Sequence, residues 1–174
     1  VMTDQFVFKH QPKIVQGENA TDDIDEEIRA LNCEKPIIVT DPNLSENGVI
    51  DPITASLSDA NLEYLVFDEV EPNPLDSTVE KAASIIRDEG YDSVIAVGGG
   101  SSIDSGKTIA MLGTNGGTVE DHEGINEYDE PPLPVITVPT TVGTGSEVTP
   151  ASVVTNPDRE EKLVIIGDDY FART

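Results

Sequence analysis

Two stretches of this sequence combine residue types that could hold a phosphorylated ligand. The first runs Val94-Ile95-Ala96-Val97-Gly98-Gly99-Gly100-Ser101-Ser102-Ile103-Asp104-Ser105-Gly106-Lys107, a β-branched run that enters three glycines and then a helix-forming segment. Glycines let the backbone approach a ligand closely. The first N–H groups of a helix lack intrahelical partners and carry the positive end of its dipole. Such a turn suits a phosphate or pyrophosphate. The second stretch, PTTVGTGSEVT at 139–149, offers four threonine hydroxyls, one serine hydroxyl and two glycines after another β-branched run. Hydroxyls beside free N–H groups suit phosphate, ribose or the amide of a nicotinamide ring. The plain alternatives are a tight strand-to-helix turn and a Ser/Thr-rich loop making local turns. Three consecutive glycines carry an entropy cost that a simple turn does not require. Two such loops leaving parallel strands also point to the same edge of a sheet.

Counting excludes the familiar signatures. A P-loop ending at Gly106-Lys107-Thr108 needs its first glycine where Ser101 stands. A G-x-G-x-x-G fingerprint begun at Gly98 meets Ile103 at its last position, and one begun at Gly143 meets Val148. No G-x-S-x-G surrounds Ser101, Ser102 or Ser146, which removes the hydrolase reading. Lys107 lies two turns into its helix, away from the end where a phosphate would sit. The two histidines, His10 and His122, lack metal-ligand spacing and are expected at the surface.

The elements that must position these loops follow from periodicity. Short apolar runs at 35–40, 62–67, 93–97 and 133–138 read as buried strands. Helices are expected over Ser77–Glu89, with Gly90 as the C-terminal cap, and over Ser101–Leu112. Ile24, Ile28 and Leu31 place one apolar face on an otherwise acidic helix. Strands separated by helices predict an α/β fold with a doubly wound, mainly parallel sheet. Gln5–Gly17 and Ala151–Ile166 are expected to add short edge strands or hairpins, and Glu120–Pro132 a surface loop. No repeat or interdomain linker divides residues 1–174.

Composition bounds the partners. Ten Lys+Arg against 34 Asp+Glu leave a net charge of −24 in 174 residues, so nucleic acid and anionic membrane surfaces are repelled. No apolar run approaches the roughly 18 residues of a membrane span. No basic-then-apolar leader opens the sequence, and a single cysteine, Cys33, fits a reducing cytoplasm. The acids are interleaved with apolar positions instead of forming blocks, as expected of a folded protein adapted to concentrated salt. There screening removes most of the self-repulsion. An acidic partner-binding face is the alternative.

Taken together, Asp41, the Glu71-Pro72-Asn73-Pro74 stretch, GGGSSIDSGK at 98–107, PTTVGTGSEVT at 139–149 and Lys162 resemble the iron-containing, or type III, alcohol dehydrogenases. The resemblance covers most of the chain and implies a Rossmann-like NAD(P)-binding domain. On that resemblance Asp41 contacts the adenosine ribose and favours NAD over NADP, and Asn73 lies near the adenosine half. Gly99, Gly100 and Ser101 form the pyrophosphate loop, with Asp104 on the nicotinamide side. Thr140, Thr141 and Thr144 lie along adenine and diphosphate, and Lys162 approaches the nicotinamide ribose. Ala151 stands where relatives often carry Asn.

The resemblance further implies a helical domain with an Asp and three His holding iron or zinc, expected to follow Thr174. The fragment alone is then expected to be inactive and to self-associate through its uncovered face. The parent enzyme would be a homodimer or larger, acting on a small alcohol or aldehyde. A glycerol dehydrogenase or dehydroquinate synthase relative, and a stand-alone nucleotide-binding module, remain alternatives.

Overall fold

A computed structural model describes residues 12–174. In chain order the elements are α1 (Ile24–Ala30), β1 (Pro36–Val39), α2 (Pro42–Glu46), α3 (Asp51–Asp59), β2 (Leu65–Phe67), α4 (Asp76–Glu89), β3 (Ser93–Gly98) and α5 (Gly100–Asn115). A short 3₁₀ turn (Glu120–His122), β4 (Gly124–Ile125), β5 (Val135–Pro139), β6 (Ala151–Asn156) and β7 (Glu161–Ile166) complete the order.

The four expected strands form one sheet in the order β2-β1-β3-β5, and every neighbouring pair is parallel. Strand alternation sorts their side chains into two cores. Ile37, Val39, Val94 and Ala96 face Val79, Ala82, Ala83 and Ile86 of α4 and Ile109 of α5. Ile38, Ile95, Val97 and Ile136 face Ile24 and Ile28 of α1 and Ile53 and Leu57 of α3. Helices therefore cover both faces, which is why β3 is buried along its whole length. Gly106 lets α5 lie close on the sheet, since a Cβ there would sit 2.6 Å from that of Ala96. Gly90 ends α4 in the left-handed conformation at φ 74°, with its N–H on the Ile86 carbonyl.

Several local expectations are adjusted. α5 continues three residues beyond Leu112, and β2 is confined to Leu65–Phe67. The helices α2 and α3 lie outside the periodic segments; each opens on an Asp-Pro step, Asp41-Pro42 and Asp51-Pro52. β6 and β7 make the expected hairpin, but in a second sheet, β4-β7-β6, and not at an edge of the first. That sheet recruits Gly124–Ile125 from the segment read as loop. Its Val154, Leu163 and Ile165 join the core beneath α4 and α5. Residues 12–17 form no strand, although the Lys13 N–H donates to the Arg173 carbonyl at 3.0 Å. His10 and the rest of that predicted edge segment lie outside the described residues. No helix among the described residues is long and apolar enough to cross a membrane.

Candidate functional site

In a sheet ordered β2-β1-β3-β5, the connections leave in opposite directions on either side of the boundary between β1 and β3. Ligands of open α/β sheets bind at the carboxyl ends of the strands at such a switch point. The structure has a crevice there of about 380 Å³. Asp41, Pro42 and Asn43 line it from the end of β1, Val70, Glu71 and Pro72 from the end of β2, and Gly99 to Ser102 from the end of β3.

Each wall has a local cause. Asp41 is the N-cap of α2: its Oδ1 accepts the Asn43 N–H at 2.9 Å and the Leu44 N–H at 3.1 Å, and Pro42 starts the helix. Oδ2 takes no hydrogen bond from any described residue and stays available as an acceptor. Gly98 has φ 143°, a conformation that side chains rarely adopt, and a Cβ there would meet Ser102 Oγ at 2.4 Å. Gly99 then caps α5 without a side chain, so the first-turn N–H groups of a helix spanning Gly100–Asn115 are unobstructed at the crevice.

The threonine loop closes on this turn. The Thr140 N–H donates to the Gly98 carbonyl at 2.9 Å, extending the β3–β5 ladder by one step. A Cβ at Gly99 would lie 3.2 Å from Thr141 Oγ1, and one at Gly100 would lie 3.4 Å from Thr144 Cβ. The two segments singled out by composition are thus in contact at one edge of the sheet.

Asp41, Gly99, Gly100 and Ser101 line the crevice, and Thr140, Thr141 and Thr144 stand beside it. Asn73, Asp104 and Lys162 are not among the residues that line it. Asn73 is exposed at φ 59°, next to the lining Pro72. Asp104 Oδ2 accepts the Val153 N–H at 3.1 Å, and burial pushes its carboxyl above the ordinary range. Lys162 is exposed on β7, opposite Thr155 of β6.

Lys107, possible but unfavoured as a phosphate ligand on its position two turns into the helix, is buried at 1% exposure. Its Nζ donates to the carbonyls of Ser146 at 3.0 Å, Thr149 at 2.8 Å and Ala151. Burial pulls this ammonium down to about 8, against the opposing pull of Asp104 and Glu147. Glu71 and Pro72 were quoted from sequence without a role, and they form part of the crevice wall.

A second hollow, of about 460 Å³, lies along β5 and is lined by residues 12–17, by Ala20, Thr21, Ile24 and Glu27, and by 136–139 among others; none of the expected site residues takes part in it. Among the described residues no cluster of three or more His, Cys, Asp or Glu could hold a metal ion. His122 turns Nδ1 to the Glu127 carbonyl at 2.7 Å and Nε2 to the Gly116 carbonyl at 3.0 Å, so its ring braces a loop. The described residues therefore do not fit an iron or zinc centre. They do fit a dinucleotide, through the side-chain-free cradle at Gly99 and Gly100.

Comparison with known proteins gives a concordant picture. Residues 11–174 match the family described as iron-containing alcohol dehydrogenase. The NAD-dependent methanol dehydrogenase of Bacillus methanolicus is 32% identical over 167 residues, covering 96% of this chain and 43% of that protein. The crystal structure of NADH-dependent butanol dehydrogenase A from Thermotoga maritima superposes with a TM-score of 0.88 at 32% identity, over 97% of this chain and 43% of that one. An archaeal halo-thermophilic alcohol dehydrogenase from a Red Sea brine pool superposes at 0.84 with 33% identity, over 98% and 46% respectively. The chain spans less than half the length of these relatives.

Proposed function

The chain belongs to the iron-containing alcohol dehydrogenase family, and we propose that residues 1–174 form the NAD-binding domain of a dehydrogenase acting on a small alcohol or aldehyde. The observation that carries this reading is the crevice at the β1/β3 switch point, walled by the Asp41 carboxylate and the open N-terminus of α5. In it the first-turn amides at Gly100 and Ser101 face the pyrophosphate, and the dipole of α5 favours its negative charge. Asp41 keeps Oδ2 free to accept the ribose 2′-hydroxyl and repels a 2′-phosphate, so NAD is preferred to NADP. Thr140, Thr141 and Thr144 supply hydroxyls along the diphosphate, and the resemblance assigns Asn73 to the adenosine half, Asp104 to the nicotinamide side and Lys162 to its ribose. NAD, when bound, accepts the hydride from the alcohol carbon.

In the parent enzyme iron or zinc would be held by a helical domain, and the parent would be a homodimer or larger. The working environment is a salt-rich cytoplasm, for which the supporting observation is the −24 net charge spread between apolar positions.

Calorimetric titration of NAD and NADP into this chain at molar KCl, without added metal, tests the reading. Binding of NAD with clear preference over NADP is expected, and Asp41→Gly is expected to bring the two affinities together. A wild-type chain that binds neither nucleotide overturns the assignment of the crevice. An Asp41→Gly variant with an unchanged ratio overturns the role of Asp41.

A further inference from the structure

The loop from Thr140 to Thr149 has little structure of its own. Its internal bonds comprise the Val148 N–H to the Gly145 carbonyl at 3.1 Å and weak side-chain contacts of Thr144, 3.4 Å from both the Ser146 N–H and Glu147 Oε2. Val142 at its tip is fully exposed. A segment this poor in internal contacts should wander, yet it supplies three of the hydroxyls proposed to meet the nucleotide.

One face of α5 supplies what the loop lacks. Gly100, Asp104, Lys107 and Thr108 recur at helical spacing on that face. The carbonyls of Ser146, Thr149 and Ala151 converge on a single nitrogen, Lys107 Nζ, and Asp104 Oδ2 takes the Val153 N–H just beyond. Three carbonyl oxygens aimed at one point repel each other unless a cation stands between them, and here the cation is covalently part of the helix that begins at the glycine turn. The Tyr170 ring lies 5.4 Å from Nζ and closes the cluster on another side.

We propose that Lys107 is a positioning residue for the nucleotide site: its buried ammonium gathers the Ser146, Thr149 and Ala151 carbonyls and so holds residues 140–149 against the glycine turn. It touches no nucleotide. Its effect on binding rests on the NAD reading above, whereas its effect on the loop does not.

A neighbouring cluster provides the control. Tyr170, Thr108 and Ser152 join their hydroxyls in a closed triangle at 2.8 to 3.0 Å, fully buried against α5 and β6, without bonding the loop carbonyls. Tyr170→Phe thus disturbs the same region and leaves the clamp in place. The experiment compares wild type, Lys107→Met, the milder Lys107→Gln and Tyr170→Phe by amide hydrogen exchange and by NAD titration. Lys107→Met is expected to speed exchange across 140–149 at least about tenfold while β1 and β3 stay protected, and to weaken NAD at least about tenfold. Tyr170→Phe is expected to lower the melting temperature without either change.

Should Lys107→Met fail to fold, Lys107→Gln, whose shorter side chain offers two uncharged N–H donors in place of the ammonium's three, is expected to show the same pattern at smaller amplitude. Unchanged exchange at 140–149 in a folded Lys107 variant overturns the proposal, as does an equal loosening in Tyr170→Phe. If wild type fails to bind NAD, the nucleotide reading falls, and the exchange data still decide whether Lys107 holds the loop.

Discussion

The glycine turn at 98–101 and the threonine loop at 140–149 leave adjacent parallel strands at the same edge of the sheet, and they become ordered by opposite means. The turn is fixed from within. β3 is buried throughout, Gly98 carries a φ only glycine tolerates comfortably, and α5 begins at once, so each residue's conformation is dictated by its neighbours in sequence. The loop is fixed from behind. Its order is borrowed from a lysine 39 to 44 residues away whose charge collects its carbonyls. A rigid half built on local geometry and a half tethered by one buried cation allow the nucleotide cradle to be preformed on one side and adjustable on the other.

That contrast is broken most severely in the turn. In Gly98→Val the new Cβ would stand 2.7 Å from Ser102 Cβ at a strained φ, so a loss of about 3 kcal/mol or more is expected from strain and overpacking together. Urea unfolding measures it, and a loss below about 1 kcal/mol would mean that the turn relaxes more freely than its backbone implies. Next in size comes Gly100→Val. A Cβ at Gly100 meets Thr144 at an ordinary 3.4 Å, so the fold should survive. The branched methyls intrude on the crevice, and NAD affinity should fall about tenfold or more, roughly 1.4 kcal/mol, in a calorimetric titration. Unimpaired binding would move the pyrophosphate away from this turn.

The same division explains what could be read from sequence. The four parallel strands and the glycine turn were legible because β-branched runs and consecutive glycines act locally. α2 was not, since its Asp41-Pro42 step was read for its carboxylate alone; the capping of Asn43 and Leu44 shows that Asp41 also builds the wall it occupies. β4 is two residues long and exists through its pairing with Ile165 and Ile166, some forty positions on, so no periodicity announces it. Lys107 was visible as a lysine on a helix, but its meaning lies in carbonyls that every residue type carries. Backbone acceptors leave no mark in a sequence. The recurrence of Gly100, Asp104 and Lys107 along one face was the available clue.

Titration of the clamp sharpens the comparison by about 1 kcal/mol. Lys107 loses its proton near 8 in the folded chain, whereas an unfolded lysine keeps it to about 10.4. Between those values the unfolded chain holds more protons, so this residue makes folding stability rise with pH, by about 1 kcal/mol from pH 8 to 9. The groups acting on it are Asp104 from α5, Glu147 from the loop and the Tyr170 ring. Thermal melts of wild type and Lys107→Met across that interval should diverge in favour of wild type. NAD affinity of the wild type should fall over the same interval, because the charge that gathers the carbonyls is leaving. A stability difference independent of pH would place the ammonium's titration outside this range.

The smallest effect is expected at the tip of the loop. Val142 is fully exposed and makes no close contact that holds the loop, so Val142→Ser should change stability by less than about 0.5 kcal/mol. It should leave amide exchange at 144–149 as in wild type, because the Lys107 bonds begin only at Ser146. A near-neutral result locates the order of the loop at its base. A loss comparable with that of Lys107→Met would instead mean that an apolar contact at the tip, and not the cation beneath, keeps the threonines facing the glycine turn.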